Sequence, residues 1–550
     1  MLNEKVTVPL PKSGIIVRKT GKYQYVYKVL ATFRNALGQP TNTRKQIGRL
    51  SSDGEWLIPN NAYYEFYETT ATHSYETTAN YVDDGEALQE KHTKVISVGA
   101  TFLVSHMLSR LGILGMLDRA VGSLRCLWIS IIATYMLCEG NVLAHITDWS
   151  EEHILENVIL SSQKASVLFS KITHDERMSF FKSWTALQAQ SGSIAYDVTS
   201  FSSYSKGLID LEWGYNRDGD KLPQINLGCY ISQESRLPLF YVTYPGSIVD
   251  KSHLPYMMAY NEELGIGENI TYVMDRGFCS TANIDYMHQA GLSYVCGVDL
   301  QAKNTRQAID EVRSDIVSLR NLATKGTYAL CVRSRFYGES SVLHIFNNPE
   351  LGERQRSELL RTVENMESQL KQLKNLSDKE LKRFSRFFDI NAGKGSVSFE
   401  RNYDRIDDAA KYCGFFCILT NTEYPSSDIL EIYKRKDVIE KGFDDIKNYT
   451  EMKRLRVHSD STAAGKLFCA FIALIAASEM SNSLRIYNDL DNQKYLSKRA
   501  LMNELEKIRV LDSSKGRRLI NPLTKTQRNI FKAFGISEGA LASFILNGQT

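Results

Sequence analysis

The sequence predicts an α/β protein whose central domain runs strand, strand, strand, helix, strand, helix, strand, with a β-rich segment and a helical domain ahead of it. Three observations predict this. Near residue 190 the apolar pattern changes from helical spacing to short alternating runs. Two of those runs carry an acid, Asp197 and Asp275, where a strand passes into or ends at a turn. Much later in the chain, a helical segment from Leu430 to Lys447 gathers an acid and two cations.

Taken in order, Tyr23 to Phe33 alternates aromatic, β-branched and basic residues, turns at Asn35 to Pro40 and resumes over Thr41 to Leu50, which is a hairpin pattern. Its exposed face would be basic through Lys22, Lys28, Arg34, Arg44, Lys45 and Arg49. That face suits a DNA backbone and equally a solvated sheet. Residues 1–50 hold ten Lys or Arg against the single acid Glu4, whereas residues 51–100 hold nine acids against Lys91 and Lys94. The stretch Tyr75 to Glu90 is acidic and poor in apolar residues, as a linker is. From Val98 to about Trp184, long apolar segments at helical spacing predict an all-helical domain.

The strands of the central domain are expected at Ser193–Ser200, Gln224–Ile231, Leu237–Tyr244, Ile270–Met274 and Tyr294–Val298, with helices at Ser252–Leu264 and Ala282–Gln289. This is the order of an RNase H-like domain, antiparallel in its first half and parallel in its second. More than 100 residues then precede the helical segment Leu430 to Lys447, and they read as an insertion. Leu359, Val363, Met366, Leu370 and Leu373 recur at four and three, so a long coiled-coil-like helix is expected inside it. Strands are expected around that helix at Tyr328–Val332, Val342–Phe346, Ser396–Arg401 and Phe415–Thr420. The resulting division is 1–73 basic β-rich region, 74–95 linker, 96–190 helical domain, 191–299 first part of the core, 300–420 mixed α/β insertion, 421–483 second part of the core and 484–550 helical C-terminal region.

Bulk properties exclude several classes. With 550 residues and 43% hydrophobic content the chain can bury several cores, and a net charge of +3 neither demands nor forbids a nucleic-acid partner. Nine cysteines without a Cys-x-x-Cys read as reduced thiols. No apolar run follows the charges of Met1 to Lys5, and the longest one, Leu467 to Ala477, has eleven residues where a spanning helix needs about 20. The expectation is a cytoplasmic protein without a membrane partner. A Gly-x4-Gly-Lys-Ser/Thr loop is absent, which argues against ATP hydrolysis.

The acids carry the chemistry. Asp197 interrupts an apolar strand, where burial is costly unless the carboxylate faces a cation or a metal. Asp275 ends a strand and Gly277 follows two residues later, a position that in α/β domains often faces a ligand crevice. In a continuous helix Tyr433, Lys436, Glu440 and Lys447, at offsets of zero, three, seven and fourteen, would project from one face. Each signal alone also suits a structural cap or a solvated helix face.

Together, Asp197-Val198-Thr199, Asp275-Arg276-Gly277-Phe278 and Tyr433-x2-Lys436-x3-Glu440-x6-Lys447 resemble the three catalytic blocks of prokaryotic insertion-sequence DDE transposases bearing the YREK signature. Trp213 to Gly219, Leu222 to Leu227, Tyr244 to Ser247 and the run from Thr524 to Ile536 resemble further segments of that family. The signature Arg is Lys436 here, which keeps the charge and loses the bidentate fork. The resemblance implies a cut-and-paste enzyme of the prokaryotic nucleoid that cleaves the ends of its element and joins the 3′-OH to target DNA. It implies two Mg²⁺ ions roughly 3.5 to 4 Å apart, replaceable by Mn²⁺, held by Asp197 as the bridging ligand, Asp275 and Glu440. Tyr433, Lys436, Lys447 and Arg276 are the implied DNA contacts, double-stranded terminal repeats and target DNA the partners, and a homodimer the synaptic assembly. Two other readings compete: a non-catalytic DNA-binding descendant of a transposase, and an RNase H-like nuclease without strand transfer.

Overall fold

The computed structural model describes residues 8–547 except 12, 21–22, 35–39, 52–55, 67–93, 156–157, 374, 394–395, 491–493 and 513–517. The protein is a mixed α/β chain with several sheets, divided into two units at residues 89 and 90. The expected linker at Tyr75 to Glu90 and the turn at 35–39 lie outside the described residues.

The N-terminal unit holds a five-stranded sheet around the hairpin Tyr23–Arg34 and Pro40–Leu50. Val26, Ile47, Leu57 and Tyr63 form its small core. Three of the hairpin's cations lie over aromatic rings: Arg44 over Tyr27 at 5.3 Å, Arg49 over Tyr23 at 4.4 Å and Lys45 over Phe66 at 5.8 Å. Lys22 lies outside the described residues.

In the second unit, α-helices between Gly99 and Gln188 form the helical layer, and Asp460–Asn488 runs through it. By length and composition that 29-residue helix could cross a membrane, but 83% of its apolar window is buried inside the protein. The C-terminal region, expected to be helical, adds two strands, Arg509–Asp512 and Arg518–Ile520; the first pairs antiparallel with Lys94–Ser97.

The core sheet has nine strands: β1 (Ser191–Ser202), β2 (Gln224–Ser232), β3 (Pro238–Pro245), β4 (Asn269–Met274), β5 (Ser293–Gly297), β6 (Leu322–Thr324), β7 (Thr327–Phe336), β8 (Glu339–Asn347) and β9 (Phe415–Thr420), in the order β6-β7-β8-β9-β5-β4-β1-β2-β3. β1, β2 and β3 are antiparallel, and β4 and β5 run parallel to β1. The register is set by which residues tolerate burial. Tyr196 and Tyr230 pair and bury their rings on one face, so Asp197 and Cys229 pair on the other.

Four strands from the 300–420 segment continue this same sheet, because β9 pairs antiparallel with β5 and covers an edge that would otherwise stay open. The long helix is present as Pro349–Leu370, capped by Asn348. It buries Val363, Met366 and Leu370 in a small cluster with Phe384, Phe387, Phe388 and Ile406, not against a second long helix. The helix expected at Ser252–Leu264 is two, Asp250–Met258 and Tyr260–Glu263.

Candidate active site

β1 and β4 are neighbours in parallel register, with Met274 opposite Tyr196, so Asp275 and Asp197 follow in step on adjacent strands. β4 ends there, while β1 continues to Ser202. Asp197 is held by the Val198 N–H, which donates to Oδ1 at 2.7 Å. Burial pushes its carboxyl above the usual range, and nearby Asp275 pushes the same way; the Val198 N–H, Lys436 and Arg217 oppose the shift. Two half-buried carboxylates therefore lie side by side on adjacent strands.

The segment bearing the third acid departs from the expected single helix. One helix, Ser426–Lys434, ends at Arg435, a second spans Asp437–Asp444, and residues Asp445–Tyr449 form a wide π-helical turn. At the first break the bonds tighten: Lys436 N–H donates to the Tyr433 carbonyl, Val438 to Arg435 and Ile439 to Lys436. The tightening turns Lys436 inward, where it is buried. Over the second helix, the lack of a side chain at Gly442 lets the backbone lie against Ile231 of β2, placing the helix on the sheet face that carries Asp197.

Tyr433 and Lys436 consequently turn toward the aspartate pair. The Tyr433 hydroxyl donates to Asp275 Oδ1 at 3.3 Å, and burial, with Asp275 beside it, pushes the phenol well above its usual range. Lys436 faces the Asp197 field and lies 3.5 Å from Glu440 Oε1. Glu440 itself stays 68% exposed, and among the described residues no three acids, histidines or cysteines are close enough together to hold a metal ion. The two aspartates suit a divalent cation by donor type, and Glu440 pairs with the Lys436 ammonium. Arg276 is exposed, and its charge acts on Tyr433.

Lys447 goes elsewhere. The π turn carries it to Asp218, which accepts from its ammonium at 2.8 and 3.0 Å, and the pair is nearly buried. Two residues of this site were missed in the sequence. Arg217 pairs with Asp250 and its charge acts on Asp197. Gly297 has no side chain where one would collide with the Tyr433 hydroxyl and the Arg276 backbone nitrogen. The signal for Arg217 was available, since Arg217-Asp218-Gly219-Asp220-Lys221 is dense in charge and follows the first acid by 20 residues.

The family profile described as "Transposase DDE domain" matches residues 189–476, more than half of the chain. The chain belongs to the DDE transposase family. The match spans Asp197, Asp275 and Glu440, and the family's chemistry is, in general terms, nuclease and transesterase action on DNA. No curated protein matches the chain. A cryo-EM structure of a piggyBac transposase synaptic complex with hairpin DNA matches at 10% identity with a TM-score of 0.39, covering 77% of this chain and 76% of that one. So slight a likeness bears on neither fold nor mechanism.

Proposed function

We propose that this DDE transposase cleaves the ends of a prokaryotic insertion sequence and transfers the 3′-OH to target DNA, using Asp197, Asp275 and Glu440 on an RNase H-like core. The supporting observation is the placement of Asp197 and Asp275 on adjacent parallel strands, with Tyr433 and Lys436 of the Glu440 segment turned onto them. Asp197, Asp275 and, after a rearrangement of Lys436, Glu440 would hold Mg²⁺ or Mn²⁺. When bound, such ions stabilise the entering and leaving oxygens of an in-line displacement at phosphorus.

The protein's own residues prepare for this. Tyr433 fixes one oxygen of Asp275 and leaves the other free. Lys436 balances Asp197 and Glu440 and is placed to meet the negative charge of a scissile phosphate. Arg276, exposed beside the pair, is a second backbone contact. By the same reading, double-stranded terminal repeats and target DNA are the partners, engaged by a homodimer in the synaptic complex.

Incubation of wild-type protein with a terminal-repeat duplex and Mg²⁺ is expected to give cleavage at the element's end, and a pre-cut 3′ end is expected to give joined product. Asp275→Ala, with an unchanged circular dichroism spectrum, is expected to do neither. Absence of cutting by both proteins, with DNA binding intact, would sink the assignment and favour the non-catalytic reading, which the exposure of Glu440 supports. Cutting without joining would identify a simple nuclease.

A further inference from the structure

Between β1 and β2 the chain makes a long excursion, residues 203–223, that passes beside the active site. Its tip, Asn216 to Asp220, is pinned by three ion pairs, one to the helix Asp250–Met258 and two to the stretch from Lys447 to Arg454. Arg217 pairs with Asp250 of the helix Asp250–Met258, Asp218 with Lys447 of the π turn, and Asp220 with Arg454 at 2.5 Å. The Asp218–Lys447 side chains are 19% and 9% exposed. Their burial lowers the lysine's proton affinity, and Asp218 works against that shift.

The cations on the other side form a group of their own. Lys447, Lys453 and Arg454 all act on Asp220. The segment carrying Lys453 and Arg454 is bonded to the end of β1: Ser202 N–H donates to the Lys453 carbonyl and Leu455 N–H to the Ser202 carbonyl. It leaves this position through Arg456, which takes a left-handed φ of 52°, an uncommon and costly conformation for a residue with a side chain. Lys453 and Arg454 are thus anchored five residues along the strand from Asp197, and with Lys447 they make three cations around Asp220. Two of them, Lys447 and Arg454, are matched by carboxylates from the tip of the excursion.

Buried ion pairs contribute little net stability, since desolvation cancels much of the attraction. Their placement here has a simpler use if DNA is the substrate. A carboxylate presents two oxygens and one negative charge to a lysine or arginine, as a phosphodiester does. A DNA strand led to Asp197 and Asp275 passes cations that are already occupied by acids of the protein. Within the same excursion, Tyr204, Trp213 and Tyr215 are largely exposed, with Arg454 5.8 Å from the Tyr204 ring.

We propose that Lys447, Lys453 and Arg454 form a row of seats for the backbone phosphates of the DNA strand entering the active site, and that Asp218 and Asp220 are internal phosphate mimics which mask this row until DNA displaces them. The inference rests on the DNA-cutting reading above. It adds a competition between the loop and the substrate.

The test is binding of a duplex of arbitrary sequence without divalent metal. Each phosphate contact scales affinity with salt to a power of about 0.9, so at 0.1 M salt one uncovered cation is worth about eightfold. Asp218→Asn is expected to bind up to about eightfold more tightly than wild type, and the gain is expected to vanish when Lys447→Met is added. Equal or weaker binding by Asp218→Asn at an unchanged melting temperature overturns the inference. So does a gain that survives Lys447→Met, which would be a general effect of lost negative charge. Because Asp218→Asn leaves a buried ammonium without its partner, wild-type protein supplies a second readout. Amide exchange at Asp218 and Gly219, both bonded to Asn216, is expected to quicken on adding duplex; slower or unchanged exchange overturns the displacement. Protein that neither binds nor cuts DNA would refute the nuclease reading and this one together, whereas protein that cuts normally but fails the Asp218 and exchange tests refutes the mask alone.

Discussion

Lys466 carries the most sharply defined consequence of burial in the second unit. It lies on the helix Asp460–Asn488, is 3% exposed, and donates to the carbonyl of Leu455 at 2.9 Å and to the carbonyl and side-chain oxygens of Asn141. Asn141 in turn donates to the carbonyls of Glu451 and Arg454, so this cluster ties the basic segment to the helical layer. Burial, helped by the charge of Arg456, lowers the lysine from 10.5 to about 7. The native state therefore releases its proton near neutrality, while the unfolded chain keeps it until about 10.5. Between those values the unfolded state binds more protons, so stability rises with pH. It gains about 1.4 kcal/mol per unit, with a ceiling near 5 kcal/mol, and about 2.7 kcal/mol is gained between pH 6 and pH 9. The unit comprising residues 90–550 has about 460 residues, and at about 2.1 cal/mol/K per residue its unfolding entropy is about 1 kcal/mol/K. Lys466→Met removes the titration and leaves the other groups in place. The melting temperature of wild type minus that of Lys466→Met, followed by scanning calorimetry, is expected to rise by about 3 °C from pH 6 to pH 9. A difference that stays flat across this range would refute the assignment of a neutral lysine to this site.

Four other outcomes are expected. Burial raises Asp197, so its native-state contribution to stability is present at low pH and lost as pH rises through its native value; in EDTA, Asp197→Asn should melt above wild type at neutral pH and lose that advantage in acid. Added Mg²⁺ should raise the melting temperature of wild type and not of Asp197→Asn, and equal shifts would argue against a metal at this carboxylate. Tyr433→Phe removes a hydrogen bond to a carboxylate, and at 3.3 Å the loss should be about tenfold in cleavage rate, read with saturating metal. Gly297→Ala places a methyl group against the Tyr433 hydroxyl and should cost cleavage at least as much, with little further loss when combined with Tyr433→Phe; additive losses would show that the glycine serves another purpose.

The strands bearing Asp197 and Asp275 were legible because burial imposes a local pattern. Apolar residues must alternate or run together along a strand, and an acid that breaks the pattern stands out. The geometry of Glu440 was less legible, because its expected face assumed an uninterrupted 100° per residue from Tyr433 to Lys447. The tight turn at Lys436 and the wide turn at Asp445–Tyr449 both break that sum. Neither has a local signature. Asp445 is buried against Lys498, 53 residues away, and Lys447 finds Asp218 at a separation of 229. Partners so distant cannot be read from spacing.

The same limit explains why the segment 300–420 reads as an appendage in the sequence and not in the fold. Its strands look ordinary, and their function lies in what they cover. Ala329 of β7, Phe346 of β8 and Ile418 of β9 pack in one cluster with Val273 of β4 and Val295 of β5, and Ile429 and Leu430 of the Tyr433 helix close it. Removing the insertion would take away the floor on which that helix rests, and with it the position of Tyr433 beside Asp275. A segment that supplies no acid to the site thereby decides where the third acid's segment lies. Tolerance to change in this region should follow burial in that cluster and not distance from the aspartates.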